Sequence, residues 1–357
     1  MSLSTRLAAC LAAGLLLCSG SPAPASARAL KGMWGPTVER GVSQFPVYRD
    51  LGIQLLEMRL EWAEAAPVRP VHPRDPRDPA YRWPAAVSTG VAGSAGAGIR
   101  VALQLIGSPG WANGGRTPNW APRRAQDFAD FAYAAARRYP TVRLWMIWGE
   151  PTRAADFRPI VRADPTKPLN AAERAAPHRY ARLLDGAYGA LKAASPGNLV
   201  IGGMTFTTGE VTTRQWIENL RLANGRPPRL DLYGHNPFSA RDPNLGSPAS
   251  GSGNVDFSDL GRLAGWIDRY LGRGRRSIRL FLSEWTIPTT VDDEFNFYVS
   301  PAVQAQWITD GLRIARSWPR VYAIGWIHLY DDLPATGGGL LDGQGTPKPG
   351  YAAWQNG

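Results

Sequence analysis

Eight short apolar runs, each followed by a loop and an amphipathic stretch, recur along this chain, and that alternation constrains the fold more than any other feature. The runs fall at 32–35, 54–60, 99–106, 142–148, 199–206, 230–235, 278–284 and 321–329. Helical patterns lie between them, among others at 125–138, 178–194, 213–224, 259–271 and 301–317. Strands alternating with helices predict a parallel sheet, and eight such units close into an α/β architecture, a single (β/α)8 TIM barrel. The runs are nearly continuous in apolar residues, as expected when helices cover one face of a strand and a packed interior the other. A doubly wound open sheet is the alternative, but no glycine-rich phosphate loop follows the first run. Two irregular stretches, 67–84 and 240–256, are rich in Pro, Gly, Asp and Ser. They follow strands two and six, at the barrel face where substrate-shaping loops belong.

The first residues combine Arg6, an apolar run over 7–17 and the small residues Ala25-Ser26-Ala27. This pattern predicts a secretory signal peptide over 1–27, and the apolar run is too short to span a bilayer. Lipoprotein anchoring through Cys18 is the minor alternative, disfavoured by the bulky Leu17 in front of it. Both cysteines, Cys10 and Cys18, fall in this leader, so residues 28–357 hold no thiol, disulfide or cysteine metal site. That span is expected to be one catalytic domain, because 28–31 leads directly into the first run and Lys348-Pro349, Tyr351 and Trp354 close the end. A core of that size needs no covalent staples. The formal charge of +11 comes from scattered arginines, without the stripe or motif that nucleic-acid binding requires. No later stretch predicts a transmembrane span. His72, His178, His235 and His328 are dispersed, so no metal is expected, and no G-x-S-x-G elbow appears.

Barrel active sites sit at the C-terminal ends of strands. Two runs end there in a carboxylate beside tryptophan: WMIWGEPT places Glu150 after strand four, and FLSEWT places Glu284 at the end of strand seven. A carboxylate is costly to bury without a partner, so one such Glu is as readily half of an ion pair. Two of them at strand tips are the equipment of glycoside hydrolysis. Fourteen tryptophans exceed ordinary packing needs and suggest a carbohydrate cleft, with Trp111, Trp120, Trp148 and Trp285 in or beside strand-end loops.

Five ordered segments resemble the clan A glycoside hydrolases, closest to family 39-like members. WGEPT resembles their W-N-E-P-N signature, and SEWTIPT at 283–289 resembles the motif around their nucleophile. GSPGWA at 107–112, DLYGHNPF at 231–238 and GWIHLYDD at 325–332, followed by GLLD and GTPKPGYAAW, resemble the third, sixth and eighth strand segments and the tail. The resemblance implies a retaining mechanism without metal or organic cofactor, with Glu150 as general acid/base and Glu284 as nucleophile. It implies that Arg59, in EMRLEW, keeps the nucleophile ionised, that His235 lies near the reacting sugar, and that Trp326 forms the floor beneath it. Trp111, Trp148, Gly149, Asn236 and Trp285 complete the expected substrate-binding set. Asp331 and Asp332 read either as hydroxyl-binding groups or as a solvated loop end.

Two residues depart from the family pattern. Gly149 stands where the family has an Asn that hydrogen-bonds the sugar 2-hydroxyl, and Asn113, Asn119 or Asn236 could replace it. Phe238, or Asn236 in the other alignment, stands where the sixth-strand motif carries tyrosine. The expectation is therefore a secreted, monomeric glycosidase acting on a polysaccharide or oligosaccharide. A catalytically weakened carbohydrate-binding barrel and a transglycosylase remodelling surface glycans are the alternatives.

Overall fold

The computed structural model describes residues 28–272 and 277–357; the leader expected over 1–27, with Cys10 and Cys18, lies outside them. Eight parallel strands form a closed barrel. They are β1 (Leu30–Trp34), β2 (Leu55–Glu61), β3 (Arg100–Ile106), β4 (Leu144–Ile147), β5 (Leu199–Phe206), β6 (Leu232–Asn236), β7 (Arg279–Trp285) and β8 (Val321–Trp326). Each strand pairs with its sequence neighbours, and β1 closes on β8 through Gly32 opposite Gly325. A small hairpin, Val38–Glu39 with Val42–Ser43, sits in the first loop.

Side-chain alternation along each strand divides the core in two. One set (Leu55, Ala102, Leu144, Met146, Ile201, Met204, Leu232, Phe281 and Ala323) fills the barrel interior. The other set, including Leu56, Leu103, Trp145, Leu282 and Ile324, packs outward against the helices. The helix Ala125–Arg138, for example, buries Phe128, Phe131, Ala132 and Ala135, and Phe131 stacks on Trp62 at 5.6 Å.

The sequence-predicted runs coincide with these strands to within a few residues. The fourth run ends one residue early, because Trp148 takes a left-handed backbone (φ 65°) that breaks the ladder. The eighth ends at Trp326, three residues before the predicted boundary. The helix expected over 213–224 stops at Asn219. The stretches 67–84 and 240–256 are irregular, as expected. Among the described residues, no helix is long and apolar enough to cross a membrane.

Candidate active site

Inward-facing positions on β1, β2, β3 and β7 carry polar groups toward the C-terminal mouth, where an interior of apolar side chains would otherwise continue. Arg59 on β2 pairs in register with Gln104 on β3, and its Nε donates to Gln104 Oε1 at 3.1 Å. One residue pair deeper, Glu57 is fully buried and its Oε2 accepts from Ser283 Oγ at 2.6 Å. Ser283 Oγ in turn accepts from Trp34 Nε1 at 3.2 Å. Only glycine suits position 325, because any Cβ there would collide with the Glu57 carboxyl and the Ser283 carbonyl.

Glu284 follows Ser283 at the mouth. It is 9% exposed and receives no protein hydrogen bond to its carboxylate among the described residues. Burial pushes its pKa up to about 8; the charge of Glu150 adds to the rise, and Arg59 opposes it. Glu150 therefore lies within electrostatic reach of Glu284, as do Arg59, Glu294 and Asp156.

Glu150 is delivered by a strained turn beyond the end of β4. Its own φ is 39°, close behind Trp148 at 65°. Left-handed backbone at two non-glycine residues costs on the order of 1–3 kcal/mol each, and such strain concentrates at functional sites. Asn236 Nδ2, at the end of β6, donates to Glu150 Oε1 at 2.8 Å, and Arg153 pairs with the other oxygen. Arg153 also lies 3.6 Å from Asp156, whose pKa is raised to about 6, first by burial and then by the Glu150 charge.

The structure thus brings Glu150, Glu284, Arg59, Gly149 and Asn236 to one mouth. It places the remaining predicted residues differently. His235 is fully buried, with Nδ1 2.9 Å from Thr205 Oγ1 and Nε2 3.2 Å from the Val255 carbonyl. Burial lowers its pKa to about 4, so it is a neutral ring that fixes the β5–β6 edge and has no free nitrogen for a sugar. Trp148, Trp285 and Trp326 have no exposed ring face: Trp148 Nε1 is bound to the Asp156 carbonyl, and Trp326 Nε1 to that of Gly338. Trp285 and Trp326 pack edge to face at 5.3 Å. Trp326 is therefore core beneath the site, and the sugar-floor expectation does not fit this arrangement. Trp111 is half-buried, but Arg69 lies over its ring at 4.3 Å, as Arg116 lies over Trp120 at 3.8 Å. Phe238 packs between Phe206 and Phe295. Asp331 is clamped by Lys348 at 2.9 Å, which ties down the C-terminal tail.

A cleft of about 1110 Å³ opens beside the mouth, lined by Gly35, Glu39, Glu294, His328, Tyr330 and Asp332 among others. Glu294 on its wall lies within electrostatic reach of Glu284. Among the described residues, no group of three or more His, Cys, Asp or Glu could hold a metal ion.

Sequence reasoning missed Gln104, Glu57, Arg153 and Asp156. A signal was present for the first two. Within the runs LLEMRLE and RVALQLI they are polar residues that share inward parity with Leu55 and Ala102. Arg153 and Asp156 lie in a loop that carries no periodic pattern.

Burial drives Glu57 well above its ordinary value; the Ser283 hydrogen bond opposes this and the Glu284 charge adds to it. A carboxyl with a raised folded pKa gives stability that is full below its unfolded value, near 4.5, and is lost as pH rises through the folded one. Glu57→Gln removes that loss. The variant is expected to match the wild type in Tm near pH 4.5 and to exceed it by ~2 °C or more at pH 8. Parallel Tm–pH curves for the two proteins would disprove this assignment.

The fold and site define a class: a (β/α)8 barrel with two carboxylates within electrostatic reach of each other at the C-terminal ends of its strands. No family model matches the sequence, and no curated protein is detectably similar to it. Solved structures do share its shape. A family 39 glycoside hydrolase from the gut symbiont Bacteroides cellulosilyticus WH2 superposes with a TM-score of 0.62 at 17% identity, over 92% of this chain and 63% of that one. A glucosidase from Croceicoccus marinus gives 0.64 at 16% identity, over 92% and 66%. A monomeric beta-xylosidase from Caulobacter crescentus CB15 gives 0.61 at 18% identity, over 92% and 67%. The chain thus has the barrel fold of family 39 glycoside hydrolases, and spans about two thirds of the length of these structures.

Proposed function

We propose that this chain is a secreted, retaining glycoside hydrolase that cleaves O-glycosidic bonds in an oligosaccharide or polysaccharide, as a monomer and without metal or organic cofactor. The observation that carries the reading is a pair of strand-end carboxylates: Glu150, held by Asn236 and Arg153, lies within electrostatic reach of the buried Glu284, which has no protein donor among the described residues. In this reading Glu150 protonates the leaving oxygen while ionised Glu284 attacks the anomeric carbon and forms a glycosyl ester. Water activated by Glu150 then hydrolyses the ester with retention. Arg59 favours the ionised nucleophile. Asn236 orients Glu150, and Arg153 must release it before it can carry the proton.

That ion pair also favours a second reading, a carbohydrate-binding barrel with weak turnover, because Arg153 ties up the Glu150 carboxylate in the free protein. One experiment separates the two. Incubation with activated 2-fluoro glycosides of xylose and glucose, followed by peptide mass mapping, is expected to find the sugar on Glu284. Intact, unlabelled protein that still binds oligosaccharide would support the binding reading and sink the hydrolase. Export rests on the leader-like 1–27 alone and is tested by sequencing the N-terminus of the protein recovered from culture medium.

A further inference from the structure

Gly149 leaves a space beside Glu150 that a neighbouring strand fills. A Cβ built on Gly149 would lie 3.1 Å from Gln104 Nε2 and 3.3 Å from Ile106 Cδ1. Its backbone is not left-handed, so a side chain there is crowded by Gln104 and Ile106, which would have to give by a few tenths of an ångström, and not disfavoured by conformation. The orientation of the Gln104 amide follows from its partner. A guanidinium N–H can only donate, so the atom 3.1 Å from Arg59 Nε is the oxygen and the NH₂ group points the other way, toward Gly149.

That NH₂ group is the unusual feature. Gln104 is 1% exposed, yet its Nε2 donates to no protein acceptor among the described residues, and it is not one of the sealed, partnerless atoms of the core. A donor that touches the mouth without a protein partner is available to a ligand hydroxyl in place of water. The other amides near the mouth are engaged. Asn113 Nδ2 meets the carbonyls of Ser108, Arg116 and Thr117, Asn119 Nδ2 that of Ala155, and Asn236 Nδ2 meets Glu150 itself. Gln104 stands between the supports of the two carboxylates: Gly149 precedes Glu150 in the chain, and Arg59 acts on Glu284.

We infer that the Gln104 side-chain amide is the donor that holds the sugar hydroxyl adjacent to the reacting carbon, an amide supplied from β3 where position 149 on the β4 turn has no side chain. The inference rests on the glycosidase reading above. It makes Gln104 a specificity residue: a buried donor built for a hydroxyl discriminates against a sugar that lacks it.

The test compares 4-nitrophenyl β-D-xylopyranoside and β-D-glucopyranoside with their 2-deoxy counterparts. Gln104→Glu keeps an acceptor for Arg59 but has no amide donor; Gln104→Leu removes both. Each variant is expected to lose ~10²–10³-fold in kcat/KM on the hydroxylated substrates and no more than about threefold on the 2-deoxy ones. The double variant Gln104→Ala with Gly149→Asn, which returns an amide to β4, is expected to recover at least tenfold over Gln104→Ala alone. Equal losses on both substrate types, or no recovery in a double variant with wild-type Tm, would overturn the inference while leaving the hydrolase reading intact. Wild-type protein that turns over none of the hydroxylated substrates and takes no covalent label would overturn both.

Discussion

Glu284→Gln is expected to abolish hydrolysis, lowering kcat by about 10⁴–10⁶-fold, the scale on which loss of a nucleophile acts. Glu150→Gln should also lose activity, by about 10²–10⁴-fold, but in a way that depends on the leaving group. A dinitrophenolate leaves without protonation, so Glu150→Gln should still form the glycosyl ester on a dinitrophenyl glycoside and accumulate it. A sugar leaving group needs the proton, and there the loss should be full. Glu284→Gln should fail on both substrates. The wild-type surroundings make the comparison fair: Gln at 284 is isosteric and breaks no hydrogen bond, because the Glu284 carboxylate has no donor from the protein among the described residues. Gln at 150 can still accept from Asn236. Burst kinetics on the dinitrophenyl substrate, read beside steady-state rates on a disaccharide, decide the roles. Full activity in both single variants, or the opposite leaving-group pattern, would sink the assignment of the two carboxylates.

The barrel was legible in the sequence because its strands are buried on both faces, and so appear as unbroken apolar runs. Helices such as Ala125–Arg138 were equally plain, since their bulky Phe residues recur with helical spacing. The helix Ala85–Gly96 was not, because it buries Val87, Gly90, Val91 and Ser94 among other small residues and shows almost no contrast between its faces. Glu150 and Glu284 were legible as carboxylates ending apolar runs. What held them was not. The left-handed backbone at Trp148 and Glu150 is imposed by the loop and leaves no mark in residue type. The tryptophan count misled for a related reason. Trp62, Trp145, Trp148, Trp216, Trp285, Trp326 and Trp354 are all fully buried, and composition cannot separate a packed indole from a sugar platform. Gln104 and Glu57 were open to discovery by strand parity, but only once the register placed them beside Arg59 and Ser283.

Arg59→Met should be among the most damaging changes outside the carboxylate pair, and its signature is in the pH profile. Hydrolysis requires Glu284 ionised, whereas burial and the Glu150 charge hold its proton up to about pH 8 in the free protein. On the dinitrophenyl substrate, whose leaving group needs no proton from Glu150, kcat/KM reports the nucleophile of the free enzyme, so its acid limb should rise with unit slope as pH increases and level off near 8. On that substrate the optimum lies on the alkaline side of neutrality. Arg59 is the one group among those acting on Glu284 whose charge favours the ionised form; Glu150, Glu294 and Asp156 all oppose it. Removing Arg59 should therefore move the limb to higher pH, and each unit of displacement lowers the rate tenfold at a fixed pH below it. Gln104 also loses the donor that orients its amide. Together these effects predict a loss of ~10²–10³-fold in kcat/KM at pH 7, partly recovered as pH is raised. Glu150→Gln, assayed on the dinitrophenyl substrate, should shift the limb the other way, toward lower pH, because it removes a like charge. Limbs that move together, or a limb unmoved by Arg59→Met, would mean that Glu284 is not the group whose ionisation the rate reports.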